Sequence, residues 1–259
     1  MILTNLFCLI STYWHLILFF FVVAVLYSSV GFGGGSSYLA ILALTGIAFT
    51  QIRTTALLCN VVVVSGNVFL YYKTKSLHWK KIIPLVVCSV PLAFVGGKLK
   101  ISEHLFFILL GCTLLFASVT MYISKKTNAS GNNPASLHLK RNVSFGSIIG
   151  FVSGMVGIGG GIFLAPLLHL TNWDTPKKIA ATASFFILVN SIAGLLGQYA
   201  NEDFYINRSL TGILLLVVFI GGQIGVRVSN TYFTSIQLKK ATAILIAFVG
   251  LRILWKYLF

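Results

Sequence analysis

Apolar residues fill this chain in long runs broken by short polar stretches. The runs divide it into ten elements, at about 14–30, 36–48, 54–72, 82–99 and 103–123, then 143–156, 162–171, 179–200, 209–228 and 237–258. A bilayer core about 30 Å thick is crossed by roughly 20 apolar residues as a helix, which satisfies every backbone group of a lone segment internally. Most of the runs approach that length, so the pattern predicts an all-α polytopic membrane protein. Two runs, 36–48 and 162–171, are short, and each follows a glycine turn, GFGGG at 31–35 and GIGGG at 157–161. The first run has no Lys or Arg ahead of it and no A-x-A cleavage pattern, and it reads as a retained membrane segment rather than a signal peptide.

The likeness of the two turns extends past the glycines. RTTALLCN at 53–60 stands against AATASFFI at 180–187, pairing Thr55 with Thr182. GGKL at 96–99 stands against GVRV at 225–228, and the offset drifts only from 126 to 129 residues. Two repeats of five helical elements each are therefore expected, 1–123 and 143–259, joined by the polar linker SKKTNASGNNPASLHLKRN at 124–142.

Charge orients them. The loop between the third and fourth elements carries Lys73, Lys75, Lys80 and Lys81, whereas its counterpart around 201–208 carries Glu202, Asp203 and Arg208. Basic loops face the cytoplasm, so equivalent loops lie on opposite faces and the repeats are inverted, a frequent build for secondary transporters. With the linker cytoplasmic, 13 of the 19 Lys and Arg fall inside and both termini fall outside. Lys177 and Lys178 then also lie inside, so 143–176 must enter the membrane and return on one side. Residues 162–171 rise only ~15 Å, and GIGGG is expected near mid-membrane. By inversion GFGGG reaches the middle from the other face, behind a run long enough to span.

Irregular backbone at membrane depth is tolerated only where protein buries it or a watery cavity borders it. A short or re-entrant helix starts immediately after each turn, so unpaired N–H groups and positive dipole ends point towards the bilayer centre. Together these predict a preformed anion site at Gly33, Gly34, Gly35 and Gly159, Gly160, Gly161. Ser36 and Ser37 either add hydroxyl donors or act as ordinary N-caps. Thr55 and Thr182 either face the same cavity or bond their own helix backbones. Asn60 and Asn190 are amides in apolar helices, placed either to hold helices together or to touch the solute. Gly146, Gly150 and Gly154, four residues apart, read as a packing ladder.

Composition narrows the chemistry. At 57% hydrophobic and 9% charged residues the chain leaves no soluble domain over, and its formal charge of +15 orients helices rather than binding nucleic acid. All four acids, Glu103, Asp174, Glu202 and Asp203, fall in loops or at element ends, so no buried carboxylate offers a proton relay or a cation cage. This favours an anionic solute. Cys8, Cys59, Cys88 and Cys112 show no CxxC or Cys/His spacing, and the five histidines are scattered; no metal or other cofactor is implied. HExxH, GxSxG and GxxxxGK[ST] are absent, which argues against an enzyme. Trp14, Tyr71, Tyr72, Trp79, Trp173 and Trp255, near element ends, suit an interfacial belt.

GFGGGSSYLAILAL, GMVGIGGGIFLAPLL, the Thr-bearing helices after them and the glycine-rich ends of the elements that follow resemble the TauE/SafE sulfite exporter family, over most of both halves. The resemblance implies an inner-membrane permease of a bacterium or archaeon that moves sulfite, sulfoacetate or a related sulfonate, with Gly33 to Gly35 and Gly159 to Gly161 as the matching positions. Ala40 stands where the second copy has Pro166. The expected function is secondary transport around a mid-membrane anion site; an anion channel and a non-transporting membrane assembly subunit are the alternatives, separated by single-channel currents or by the absence of anion binding.

Overall fold

A computed structural model describes residues 2–29, 31–123, 139–171, 173–201, 204, 206–228 and 235–258. Linker residues 124–138 and the acidic pair Glu202 and Asp203 lie outside the described residues. Within them the regular structure is helical: α1 (Ile2–Ser29), α2 (Gly35–Ala43), α3 (Phe49–Lys73), α4 (Trp79–Lys98), α5 (Glu103–Ile123), α6 (Leu139–Val156), α7 (Gly161–Leu170), α8 (Pro176–Tyr199), α9 (Arg208–Val228) and α10 (Ser235–Leu258). Among the described residues six stretches are long and apolar enough to cross a bilayer: Ser11–Ser29 in α1, the whole of α3, α4, α5 and α8, and Arg208–Arg227 in α9. The chain is a polytopic, all-helical membrane protein.

Two starts differ from expectation. α1 begins well before residue 14 but breaks at Tyr13 (φ −109°, ψ 19°), immediately ahead of the expected start. α6 begins at Leu139 and takes in four residues read as linker, because a helix end at the interface tolerates the Lys and Arg that composition assigns to a loop.

Glycine notches bring the long helices into backbone contact, which in lipid replaces the hydrophobic driving force between helices. Gly146, Gly150 and Gly154 of α6 face Leu85, Ser89 and Ala93 of α4 in turn, so α4 and α6 run parallel and the ladder is a packing surface. Gly221 and Gly225 of α9 face Phe21 and Val25 of α1 in the same sense. α3 and α8 run antiparallel: Thr54 bonds Gln198, Leu57 touches Gly194, and Asn60 and Ser191 converge on Gly159. α5 and α10 are antiparallel too, with Ser118 donating to the Ala243 carbonyl over 2.8 Å and Gly111 against Gly250 and Leu254. The shorter helices fill the interior, α2 on α3 and α7 on α8.

These contacts define two ends of the bundle. At the basic end lie the C-terminus of α3 and the N-termini of α4 and α8, where Lys81 Nζ bonds the Trp173 carbonyl at 3.4 Å and the Asp174 carboxylate at 2.9 Å. α6 starts near this end, beside the first turns of α4, and α7 returns to it at Trp173, so the stretch enters and leaves on one side. α1 and α2 enter from and return to the far end, where α3 begins.

Trp14, Tyr72, Trp79 and Trp255 are exposed on the bundle surface, as an interfacial belt requires, whereas Trp173 is buried beneath Lys81 Nζ, 5.2 Å from its ring centre. The Tyr71 hydroxyl likewise points inward, at Gly31.

Candidate functional site

Both glycine turns are buried throughout. The residues that open α2 and α7, Gly34 (φ 85°, ψ 4°) and Gly160 (φ 80°, ψ −15°), both adopt the left-handed conformation. That conformation is costly for any residue with a Cβ, so the sequence likeness of the turns reflects a shared backbone. Neither helix has a side-chain N-cap. Among the described residues none accepts a hydrogen bond from the N–H of Gly35, Ser36, Gly161 or Ile162.

The turns do not sit quite as expected. α6 carries the chain past the middle, until Gly157 lies against Arg53, one turn from the start of α3. α1 likewise carries Gly31 to Ala180 in the first turns of α8, where Ser184 Oγ donates to the Gly31 carbonyl. The run before GFGGG, long enough to span, therefore reaches the opposite end of the bundle, and its counterpart α6 also reaches well past the centre. The next few residues double back, so that Gly33, Gly35 and Gly159 reach Asn60. Asn60 is 11 residues from the start of α3 and 13 from its end, about 17–20 Å from either end. The middle is thus reached on the return stroke.

Asn60 is the meeting point. A methyl on Gly35 would lie 2.7 Å from the Ile158 carbonyl and 2.8 Å from Asn60 Oδ1, and one on Gly159 2.6 Å from Ser191 Oγ and 2.8 Å from Asn60 Nδ2. Asn60 Nδ2 donates to the Ile158 carbonyl at 2.9 Å, tying the second turn to α3. The preformed space expected between the turns is therefore occupied by this amide, because the glycines leave room that a side chain from α3 fills. Its Oδ1 has no partner, nor do the hydroxyls of Ser36, Ser153 and Ser191 or Oδ1 of Asn190, all buried. Buried polar groups are normally bonded; of these, Asn60 and Ser191 border Gly159 and Ser153 borders Gly160. The two turns are not chemically equal: where Asn60 meets Gly35, Ile187 meets Gly161.

Other expected residues lie apart. Thr55 Oγ1 is 3.3 Å from Thr211 Oγ1, Thr182 Oγ1 donates to the Lys178 carbonyl of its own helix at 2.8 Å, and Ser37 Oγ is 2.7 Å from the Tyr27 hydroxyl. Asn190 Nδ2 donates to the Phe186 carbonyl at 2.8 Å. Ser153 and Ser191, neither singled out in the sequence, border Gly160 and Gly159; the one available signal was a hydroxyl adjacent to Asn190 in an apolar helix. Arg53, counted among the outer cations, is 4% exposed inside α3.

At the basic end Asp174 is buried although it lies in a loop. It pairs with Lys81 at 2.9 Å, with Lys178 at 3.7 Å and with His78 Nδ1 at 3.3 Å. Burial raises its pKa, but hydrogen bonds from Lys81 and the Thr175 N–H and the charges of Lys81 and Lys178 outweigh that, so it titrates below the ordinary carboxylate range.

The family model described as sulfite exporter TauE/SafE matches residues 16–253. The chain belongs to this family. A probable membrane transporter protein of Sinorhizobium fredii is 32% identical over 241 residues, covering 91% of this chain and 96% of that one. One of Methanocaldococcus jannaschii is 24% identical over 237 residues, covering 83% and 85%. No solved structure matches the chain. This TauE/SafE protein is thus a multi-pass membrane transporter.

Proposed function

We propose that this TauE/SafE transporter moves a small sulfur-containing anion, sulfite, sulfoacetate or a related sulfonate, across the inner membrane by alternating access around Asn60. The observation that carries the reading is the convergence of two left-handed glycine helix starts on one buried amide, amid polar atoms without partners. Helix N-termini attract negative charge through their free N–H groups and dipoles. An anion in their place takes bonds from the first turns of α2 and α7 and from the Ser153 and Ser191 hydroxyls. The Asn60 amide fills that place when it is empty and swings aside, breaking its bond to Ile158, when the anion arrives. The choice of sulfur rests on the family.

Two inverted units, 1–123 and 143–259, joined by a cytoplasmic linker at 124–142, supply the motion. The packing supports them: exchanging the units turns α1 on α9 into α6 on α4, α2 on α3 into α7 on α8, and leaves α5 on α10 unchanged. The antiparallel course of α3 and α8 suits inverted copies, which rock about that seam with both termini outside.

Sulfite flux into proteoliposomes tests the reading. Asn60→Asp sets a carboxylate among the anion's donors and abolishes the Ile158 bond; flux is expected to fall at least about tenfold, the effect of one lost charge-assisted contact, with the protein still monodisperse. Undiminished flux would refute the site, and unitary currents in planar bilayers would replace the carrier with a channel.

A further inference from the structure

At the far end of the bundle, where α3 begins and α4 and α8 finish, lies a cavity of about 70 Å³. Thr50, Arg53, Thr54, Lys100, Gln198 and Asn201 supply its polar lining, and none of its ten described lining residues is acidic. It borders the first residue of the second glycine turn, Gly157, which packs on Arg53, and lies away from Asn60, seven residues further along α3.

Arg53 is the anomaly. An ionised group inside a membrane segment is expensive unless paired, and such groups are kept for function. Among the described residues no carboxylate pairs with this guanidinium. Its hydrogen bonds are two long ones from Nη2, to the Gly154 carbonyl at 3.3 Å and the Gly97 carbonyl at 3.5 Å, beyond the usual 2.7–3.2 Å range for N–H to O. Nε has no partner. Gln198, 6% exposed, adds a second orphan donor: its Oε1 accepts from the Thr54 hydroxyl at 2.9 Å, and its Nε2 is left unpaired. Two buried donors, one of them charged, therefore border a small cavity, with an exposed lysine beside them.

We infer that this cavity is a second anion site, built to take the head of a small oxyanion such as sulfite, a sulfonate or a phosphate, with Arg53 and Gln198 as its donors. A guanidinium presents a planar fork that matches two oxygens of such a head. Because Arg53 also bonds the Gly154 carbonyl of α6, occupancy is coupled to the helix that leads into the second glycine turn. The inference does not depend on the reading of Asn60.

Isothermal titration of the purified full chain in phosphatidylcholine nanodiscs with sodium sulfite, and separately with sodium phosphate, tests it. Sulfite affinity is expected to fall about tenfold or more in Arg53→Gln and in Gln198→Glu, the latter retaining the guanidinium if Arg53→Gln fails to fold. Arg53→Lys should recover part of the loss, since it restores charge without the fork. Unchanged affinity in both Arg53→Gln and Gln198→Glu overturns the site. Repeating the titration in phosphatidylglycerol nanodiscs separates the sources of the oxyanion: equal affinity assigns a free solute, and weakened sulfite binding in the parent but not in Gln198→Glu assigns a lipid headgroup. Normal flux in Asn60→Asp together with lost binding in Arg53→Gln would refute the central site and leave this one standing; the reverse pattern would do the opposite.

Discussion

The seam between α4 and α6 offers a sharp test of how the glycine turn is held. Gly150→Ala adds one methyl, which would sit 2.5 Å from the Ser89 carbonyl oxygen, 2.7 Å from its Cα and 2.8 Å from its Cβ. Carbon contacts are optimal at about 3.5–4.0 Å, so α6 must back away by roughly 1 Å. Every atom in the way belongs to backbone or to a two-atom side chain, so none can rotate clear. Retreat also loosens Gly146 on Leu85 and Gly154 on Ala93, and pulls the Gly154 carbonyl from Arg53. Overpacking of this kind costs about 1–3 kcal/mol, and in a chain of this length each kcal/mol moves the midpoint by about 2–4 °C. A fall of roughly 2–12 °C in the thermal midpoint in detergent follows. Gly212→Ala in α9 is the control, because nothing lies within 4 Å of its added methyl; the same gain in helix propensity, up to about 1 kcal/mol, should leave it at or above the parent. A Gly150→Ala protein melting level with Gly212→Ala would show that backbone contact does not hold this seam.

Two further outcomes are expected. Asp174→Asn removes the partner of Lys81 and Lys178 and should lower stability at neutral pH by about 1–3 kcal/mol. Because the folded carboxyl titrates below its ordinary value, its contribution is complete above about pH 4 and is lost as pH falls through the lower folded pKa. The gap between parent and variant melting points should therefore close on acidification, and a gap constant from pH 7 to pH 3 would contradict this. Among the hydroxyls, Ser191→Ala should reduce sulfite flux several-fold while Thr182→Ala leaves it near the parent; equal losses would mean that proximity to Gly159 carries no weight.

The helices were legible because lipid leaves the backbone no other choice. α7 and α8 fall within three residues of the runs expected at 162–171 and 179–200. The left-handed glycines at 34 and 160 were legible too, since few other residues take that backbone readily. Rotation was not. A helix apolar on every side gives no sign of which face meets lipid and which meets protein, so Thr55, Thr182 and Asn60 looked alike along α3 and α8. Only packing separates them, turning Asn60 onto both glycine turns while Thr182 bonds its own helix. Depth was hidden for a similar reason: the length of α6 alone does not say that the chain overshoots the centre and comes back. Arg53 fell among the six cations assigned outside, because charge alone gives no sign that packing buries it.

The pairing of α1 with α9 has a consequence for how the protein is made. Val25 meets Gly225, a partner synthesised about 200 residues later, and α4 likewise waits for α6 across the intervening helix and linker. The earliest helices must therefore dwell in lipid, or with the insertion machinery, their small-residue faces unmatched, until the last third of the polypeptide emerges. Truncation after α5 would yield a membrane-inserted but unassembled fragment, the natural prey of quality-control proteases.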